Sequence, residues 1–231
     1  MSNSMSNNFI MRNHMKRIIV LSISTLLLFT TTVRAHVDEN ISQATALIDG
    51  AMQKSLTIIN DPSLTTEVKR KRLWPIVTTY FDFTLISELT LGKFAADSTR
   101  PLGDYSDRRF TDSQQEQFTD AFTIHLGNLY LDRLNDASKF TVSLTSSSAM
   151  RPINTMQRAR VNSLINNKTA IDYSLRLKNN EWRIYDIKVE GRSLINSFRK
   201  EYSALLLKKT PDELLTLLNE KNLAHTENNA E

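Results

Sequence analysis

Hydrophobic residues in the first part of the chain recur at the spacing of α-helices. From Ile41 to Ile59 apolar positions return every three or four residues, and Asp61-Pro62 ends the pattern. A second helical stretch begins near Thr65. Because proline lacks a backbone donor and crowds the preceding turn, we expect this second helix to break or kink at Pro75.

A short helix and a polar loop are expected next. Asp82 precedes an apolar segment that runs through Leu89, which predicts an N-cap and a short helix. Gly92 stands where a left-handed residue would end that helix. Residues 95–110 are rich in polar and charged side chains, so we expect a loop whose charges lie on a solvated surface.

Three further helices have recognisable start or end signals. Ser113 and Glu116 have the spacing of a capping box, in front of a long amphipathic helix that should reach about Leu134. Near the C-terminus we predict a helix from Leu194 to Leu207. A last helix, with its own capping box and a proline at its first position, is predicted at Pro211–Leu223.

Between these helices the hydrophobic period changes from 3.6 to 2, as expected for strands. The four predicted strands lie near residues 140–144, 159–165, 171–177 and 182–189. Asn166-Asn167 and Asn179-Asn180 suit tight hairpin turns, because asparagine tolerates positive φ. The apolar residues at the two ends of the fourth strand are out of phase, which predicts a β-bulge near Tyr185-Asp186. Gly191 should end the sheet.

The order of elements indicates the fold class. Helices, then a meander of antiparallel strands, then helices again are typical of an α+β fold. We predict a single domain with a four-stranded curved antiparallel sheet and about six helices packed on one face of it. The chain has many aromatic residues, and the hypothesis is that sheet and helices stand far enough apart to enclose an apolar cavity.

The first 35 residues have the layout of a cleaved secretory signal peptide. Basic residues lead, an apolar run extends from Ile18 to Phe29, and Val33-Arg34-Ala35 is an acceptable cleavage site. The run of about a dozen residues is short against the roughly 20 that a membrane-spanning helix needs. We therefore expect export to the periplasm of a Gram-negative bacterium, a mature domain at residues 36–223 and a polar tail at 224–231.

Charge and cysteine content exclude two classes of protein. The formal net charge of +4 comes from 29 basic and 25 acidic residues, and four of the basic ones lie in the predicted signal. The mature protein is thus neutral, which argues against nucleic acid as a partner. The chain contains no cysteine, so it has no disulfide, no thiol chemistry and no lipid-modified cysteine.

The search for catalytic chemistry finds little. The chain has only five glycines, and they form no phosphate-binding loop, dinucleotide fingerprint or nucleophile elbow. His125 is the one histidine in a predicted regular element, where a half-buried structural role is the usual one. No metal site is expected. A carboxylate pair such as Asp82 with Asp186 stays open as the basis of a hydrolase.

A set of short motifs occurs in one order along nearly all of residues 40–223. These motifs are Phe81-Asp82-Phe83, Ile86-Ser87, Leu91-Gly92-Lys93-Phe94, Phe118, Phe122, Tyr130, the segment 182–194, Phe198-Arg199, Tyr202 and the segment 211–215. In sequence and spacing together, they resemble the MlaC family, also called the toluene-tolerance auxiliary proteins.

The resemblance implies a soluble periplasmic phospholipid carrier rather than an enzyme. In such a protein the acyl chains of a glycerophospholipid lie in the cavity as cargo and the headgroup stays at its mouth, with no cofactor. The implied partners are an outer-membrane lipoprotein complex and an inner-membrane ABC transporter with an MCE domain, so that outer-membrane lipid asymmetry is maintained. A monomer is expected.

Strand parity and helix faces suggest which side chains line the cavity. We place nine there: Phe83, Phe122, Leu126, Val142, Leu144, Tyr173, Leu175, Trp182 and Ile184. Two other readings stay open. One is a periplasmic interaction protein with a solid core and no lipid, and the less favoured one is a carboxylate-based hydrolase.

Overall fold

The structure is a computed structural model that describes residues 39–131 and 140–228. In these residues the α-helices are α1 (39–59), α2 (Thr66–Tyr80), α3 (Phe83–Leu91), α4 (Asp112–Leu131), α5 (Leu194–Leu206) and α6 (Pro211–Asn228). Two 3-10 helices span Gly92–Phe94 and Gly103–Arg108. The strands are β1 (Val142–Ile153), β2 (Met156–Ile165), β3 (Thr169–Lys178), β4 (Glu181–Val189) and β5 (Arg192–Ser193). The described residues from Ala44 onward form one compact unit. The predicted signal peptide and the predicted helix end near Leu134 lie outside the described residues.

The strands form a single antiparallel sheet in the order β1-β2-β3-β4-β5, so each strand pairs with its neighbour in the chain. Asparagines with positive φ make three of the turns: Asn154, Asn166, Asn167, Asn179 and Asn180. The α+β class and the four predicted strands are confirmed. The prediction that Gly191 ends the sheet is wrong, because Glu190 and Gly191 turn the chain back at positive φ into the two-residue β5.

The predicted β-bulge is confirmed at Tyr185. Leu175 of β3 pairs with Ile184 of β4, whereas the preceding Ser174 pairs with Asp186, so Tyr185 has no residue opposite it. A bulge of this kind inserts one residue and reverses the alternation of side chains. Ile184 and Ile187, three residues apart, consequently belong to the same apolar cluster.

Helices cover both faces of the sheet, which corrects the prediction that they cover one. Ile48 of α1 packs on the face that carries Leu175 and Ile184. Arg176 points to the opposite face, where its guanidinium binds Asp82 at the start of α3. Strand β4 is accordingly buried on both of its sides. The alternation of apolar and polar residues in the sequence indicated burial on one side only.

The largest cluster, here called the helical core, joins α3, α4, α5 and α6. Its fully buried aromatic residues include Phe118, Phe122 and Tyr202, which meet edge to face or stacked at centroid distances of 5.2–5.6 Å. Such aromatic pairs add about 0.5–1.5 kcal/mol each beyond the area they bury. This part of the molecule is therefore a solid core.

Helix α2 continues through Pro75 to Tyr80, so a break at Pro75 did not occur. Proline removes the hydrogen bond that would reach the carbonyl of Lys71, four residues earlier. Lys71 and Pro75 are both exposed, so water can satisfy that carbonyl. One turn later the Thr78 hydroxyl donates to the carbonyl oxygens of Trp74 and Pro75 at 3.1 and 3.2 Å.

Helix starts agree with the predicted signals except in one case. Asp82 caps α3 by accepting from the amide of Leu85 at 3.1 Å, and the predicted capping box at α6 is confirmed. The box that opens α4 is formed by Thr111 and Gln114, and not by Ser113 and Glu116. Both pairs have the required spacing, and sequence alone does not distinguish them. Helix α6 also runs to Asn228, beyond the predicted end at Leu223.

The loop of residues 95–110 is anchored rather than simply solvated. Leu102 and Phe110 are buried at its middle and end. The guanidinium of Arg109 donates to the carbonyl oxygens of Lys93, Ala95 and Arg100 at 3.3, 3.2 and 2.7 Å, and also to that of Ser98. One cation thus collects carbonyl groups from across the loop and fixes its path.

We predict that His125 makes stability depend on pH. Burial beside Phe198, helped by the positive charge of Lys221, lowers the pKa of His125 below its ordinary value of 6.5. The unfolded chain then binds the proton more readily than the folded one, so the free energy of unfolding should fall as pH drops below about 6.5. Urea unfolding at pH 7.5 and 5.5 measures this loss, which should be smaller in His125→Gln; an equal loss in both proteins would contradict the prediction.

Candidate functional site

The candidate site is an apolar cluster between α1 and the sheet, here called the apolar sheet face. Ala44, Ile48 and Met52 of α1 lie at four-residue spacing and are buried against it. The sheet contributes the buried residues Ala159 and Val161 of β2, Leu175 of β3, and Trp182 and Ile184 of β4. The side chains from these three strands lie on one side of the sheet, because side chains alternate along a strand. The bulge at Tyr185 comes after Trp182 and Ile184 and so does not disturb the alternation of these two residues.

About half of the described side chains of the apolar sheet face are only partly buried. Among the described residues it has eight buried members and eight further apolar side chains that are partly buried, whereas the helical core has nineteen and seven. The partly buried members are Leu47, Tyr80, Phe81, Val142, Leu144, Tyr173, Leu177 and Ile187. Apolar side chains at the edge of this face therefore keep partial contact with solvent, although none of them is more than partly exposed.

The face is long enough for hydrocarbon chains. On this side of β3 the apolar side chains run from Leu177 to Tyr173 of the face and on to the buried Ile171 beyond it, six residue steps or about 20 Å at roughly 3.3 Å per residue. One leaflet of a bilayer has a hydrocarbon thickness of about 15 Å, half of the roughly 30 Å core. An acyl chain that lay along the strands would thus be covered for its full length.

The face carries no charged side chain in its described part. Burial raises the pKa of Tyr173, so this phenol stays neutral. A cation at its border is Lys54 of α1, whose Nζ donates to the hydroxyl of Tyr80 at 3.2 Å and lies 5.8 Å from the centre of that ring. The electrostatics suit an apolar ligand with a polar end at the rim.

A polar cleft of about 400 Å³ adjoins the face at the β3–β4 turn. It is lined by Thr78, Phe81, Asp82, Phe83, Thr84, Lys178, Asn179, Glu181 and Arg183. Phe81 belongs to both the cleft and the apolar sheet face, and its ring stacks on that of Phe83 at 5.8 Å. Side chains of both charges thus stand next to one end of the apolar surface.

The nine side chains predicted to line a cavity divide between two clusters. Val142, Leu144, Tyr173, Leu175, Trp182 and Ile184 lie together at the apolar sheet face. Phe83, Phe122 and Leu126 lie in the helical core, so the structure does not bring them together with the other six, and their role in lining a cavity stays a prediction. An apolar helix stripe does not reveal which of two cores it faces.

Sequence reasoning also missed three residues of the face, Ala44, Ile48 and Met52. The four-residue spacing of these side chains was visible in the sequence and predicted α1, but it did not show that α1 lies on the sheet.

The two carboxylates considered as a catalytic pair are both engaged in structural contacts. Asp82 caps α3 and accepts from Nε of Arg176 at 2.6 Å. Asp186 accepts from the hydroxyl of Ser193 at 2.7 Å and from the amide of Ile195 at 3.2 Å, at the start of α5. Their hydrogen-bonding capacity is largely used by these partners, which removes the observation on which a hydrolase would rest.

Metal ligands and membrane spans were also sought in the described part of the chain. Residues 39–131 and 140–228 contain no group of three or more histidine and carboxylate side chains that could hold a metal ion. No helix in those ranges combines the length and the apolar character needed to cross a bilayer.

Comparison with known proteins gives two findings. Residues 49–220 match the family model described as MlaC protein. A solved structure of similar fold is that of the phospholipid-binding protein from Ralstonia solanacearum in complex with a phospholipid. It is 24% identical, the match covers 80% of this chain and 99% of that one, and the TM-score is 0.63, which shows a shared fold. No curated protein sequence matches the chain.

We predict that the contact between Asp82 and Arg176 is the main ionic tie between sheet and helices. Their side chains are 7% and 16% exposed, so Asp82→Ala should lower the free energy of unfolding by about 3 kcal/mol, because it leaves a buried cation unpaired. Adding Arg176→Met should recover part of that loss. Denaturant titration of the two single variants and the double variant measures the coupling.

The exposed pair Asp107–Arg108 provides a matched control for that measurement. The Asp107 side chain is 62% exposed, so Asp107→Ala should change stability by less than about 1 kcal/mol. Additive losses at Asp82 and Arg176 would show that the two side chains do not depend on each other.

Proposed function

Because the chain belongs to the MlaC protein family, we propose that it is a soluble periplasmic phospholipid carrier that catalyses no reaction. The related protein from R. solanacearum is described as phospholipid-binding and was solved with a phospholipid. The cargo is a glycerophospholipid, and no cofactor is required. In the described residues the observation that carries the proposal is the apolar sheet face, in which eight apolar side chains are buried and eight more are only partly buried.

Acyl chains are proposed to lie on the apolar sheet face beneath α1. Ala44 and Ile48 lie over its centre, so a bound chain must displace part of the contact that α1 makes. Met52 in the same row supports this, because its flexible side chain can refill irregular space. The cavity is then formed by separation of α1 from the strands, with Val142, Leu144 and Tyr173 among the side chains that line it.

The headgroup is proposed to stay in the polar cleft at the β3–β4 turn. Glu181 and Arg183 are bonded to each other at 2.6 Å, and Lys178 adds a second cation. This mixture of charges fits a phosphate group that carries an alcohol or an amine. Phe81, which borders both surfaces, would mark the passage between headgroup and chains.

Such a carrier should retain its lipid while it is in water and exchange the lipid readily at membranes. Shielding a methylene group from water contributes about 0.8 kcal/mol, so ten shielded carbons oppose release by on the order of 8 kcal/mol. In a bilayer the same carbons are already shielded. Transfer between a membrane complex and this protein therefore runs near equilibrium, and the partners set its direction.

The cellular setting follows from the sequence and the family. We propose that residues 1–35 are a cleaved export signal, that residues 36–223 form the lipid-binding domain in the periplasm, and that 224–231 are an appendage to it. The proposed partners are an outer-membrane lipoprotein complex and an inner-membrane ABC transporter with an MCE domain. The exchange would maintain outer-membrane lipid asymmetry, with the carrier acting as a monomer.

We predict that the protein, purified without added lipid, contains about one phospholipid per chain. Organic extraction followed by mass spectrometry measures the amount against protein concentration. Lipid-free protein that also takes up nothing from vesicles would contradict the proposal and would favour an interaction protein with a solid core.

We further predict that Val142→Asp reduces lipid content to less than about half of the wild-type amount. A carboxylate on the apolar sheet face would have to lose its water beside an acyl chain, which is costly. Val142 is only partly buried, so folding should be retained, as circular dichroism and soluble yield would show.

The matched control is Val68→Asp on α2, where the same change falls on a side chain that is 36% exposed and outside both clusters. It should keep the wild-type lipid content. An equal loss of lipid in both variants would indicate a general effect of charge rather than a site.

A further inference from the structure

One hydrogen-bond donor on the apolar sheet face has no acceptor. The side chain of Trp182 is 5% exposed, and its indole Nε1 is buried with no hydrogen-bond partner among the described residues. The side chains that cluster with it are apolar, among them Leu175, Leu177 and Ile184. Leaving a buried donor unpaired costs about 1–3 kcal/mol, so such a group calls for an explanation.

The other buried unpaired side-chain atoms in the described residues are the hydroxyls of Ser87, Thr90, Ser163 and Tyr202, the amide oxygen of Asn162, and Nε of Arg108 and Arg160. Arg108 Nε lies 3.1 Å from a carboxylate oxygen of Asp107, and a guanidinium has four further N–H donors besides Nε, whereas an indole has only one. Ser87, Thr90 and Tyr202 carry hydroxyls in the helical core. A hydroxyl rotates about its C–O bond and can also accept, so small adjustments find it a partner. The indole of Trp182 has one N–H in a fixed direction and cannot accept. A bridging water would need two to four polar partners, and the described side chains that cluster with Trp182 are apolar except for the hydroxyls of Tyr80 and Tyr173.

The position of Trp182 along the face is informative. It lies opposite Leu177 at the end of the sheet that borders the polar cleft, next to Glu181 and Arg183 in the chain. In a glycerophospholipid the ester groups lie between the headgroup and the hydrocarbon. With the headgroup in the cleft and the chains along β3, an ester carbonyl lies at the level of Trp182.

We propose that the indole N–H of Trp182 donates a hydrogen bond to an ester carbonyl oxygen of the bound lipid, and that the protein therefore prefers ester-linked to ether-linked lipid. This inference rests on the proposed function. An ether-linked chain has no carbonyl, so it leaves the buried N–H unpaired. A net hydrogen bond of about 1 kcal/mol corresponds to roughly fivefold in affinity.

The test is a competition between two lipids. The purified protein is incubated with vesicles that contain equal amounts of diester and diether phosphatidylethanolamine of the same chain length. The protein is then separated, and its lipid is extracted and quantified by mass spectrometry. Wild-type protein should hold about five diester molecules for each diether molecule. Trp182→Phe, which keeps an aromatic ring but removes the donor, should hold them in a ratio near one.

Trp74→Phe is the matched control. Trp74 is the other tryptophan of the chain, and its ring lies against Gly127 of α4, away from the apolar sheet face. This variant should keep the wild-type ratio. A wild-type ratio of one, or an unchanged ratio in Trp182→Phe, would overturn the inference while leaving lipid binding in place. Absence of both lipids from wild-type protein would overturn the proposed function itself.

A second measurement does not depend on the folding of Trp182→Phe. With two tryptophans, the nitrogen-15 spectrum of wild-type protein has two indole N–H signals, and Trp74→Phe identifies them. Loading with diester lipid should move the Trp182 proton signal downfield, as expected for a new hydrogen bond, and loading with diether lipid should not. Equal positions of that signal with the two lipids would overturn the inference.

Discussion

Tyr185 adds one residue to β4 opposite an uninterrupted β3, and both apolar clusters depend on that bulge. Before it, Trp182 and Ile184 face α1; after it, Ile187 faces α1 again, while Tyr185 belongs to the helical core. Asp186, next to the bulge, accepts from the amide of Ile195 and so fixes the start of α5. A regular strand could not present apolar residues to α1 on both sides of this point and also hold a second layer of helices.

The two sides of the sheet differ in the charge of the side chains that they carry. On one side apolar side chains of the strands pack against α1, and about half of the side chains in this cluster are only partly buried. On the other side Arg158, Arg176 and Arg183 lie opposite one another on three adjacent strands. Neighbouring like charges would repel. Each has a partner, since Arg158 donates to the hydroxyl of Tyr185, Arg176 binds Asp82 and Arg183 binds Glu181. Contacts of these arginines thus tie β2 to β4 and β3 to the start of α3.

Local signals in the sequence were sufficient for most of the fold. Asparagine pairs predicted two hairpin turns, the phase change in β4 predicted the bulge, and Asp82 predicted a cap. Contacts between distant parts of the chain could not be predicted in this way. Whether Phe83, Phe122 and Leu126 face the sheet or other helices depends on which layers meet, and helical periodicity does not contain that information. The role of Arg109 was invisible for the same reason, because its acceptors are carbonyl groups that only a folded loop brings together. Six of the nine proposed lining residues come together because strand parity follows directly from the sequence.

The meander order of the strands has a consequence for how the chain folds. Every pairing in the sheet joins sequence neighbours across a turn of a few residues, so loop closure is cheap and the contact order of the sheet is low. Asparagine supplies most of the left-handed turn conformations, and it loses less conformational entropy on folding than glycine would. A polypeptide made one segment at a time from its N-terminus can therefore close these hairpins in the order in which they appear, before the C-terminal helices are available.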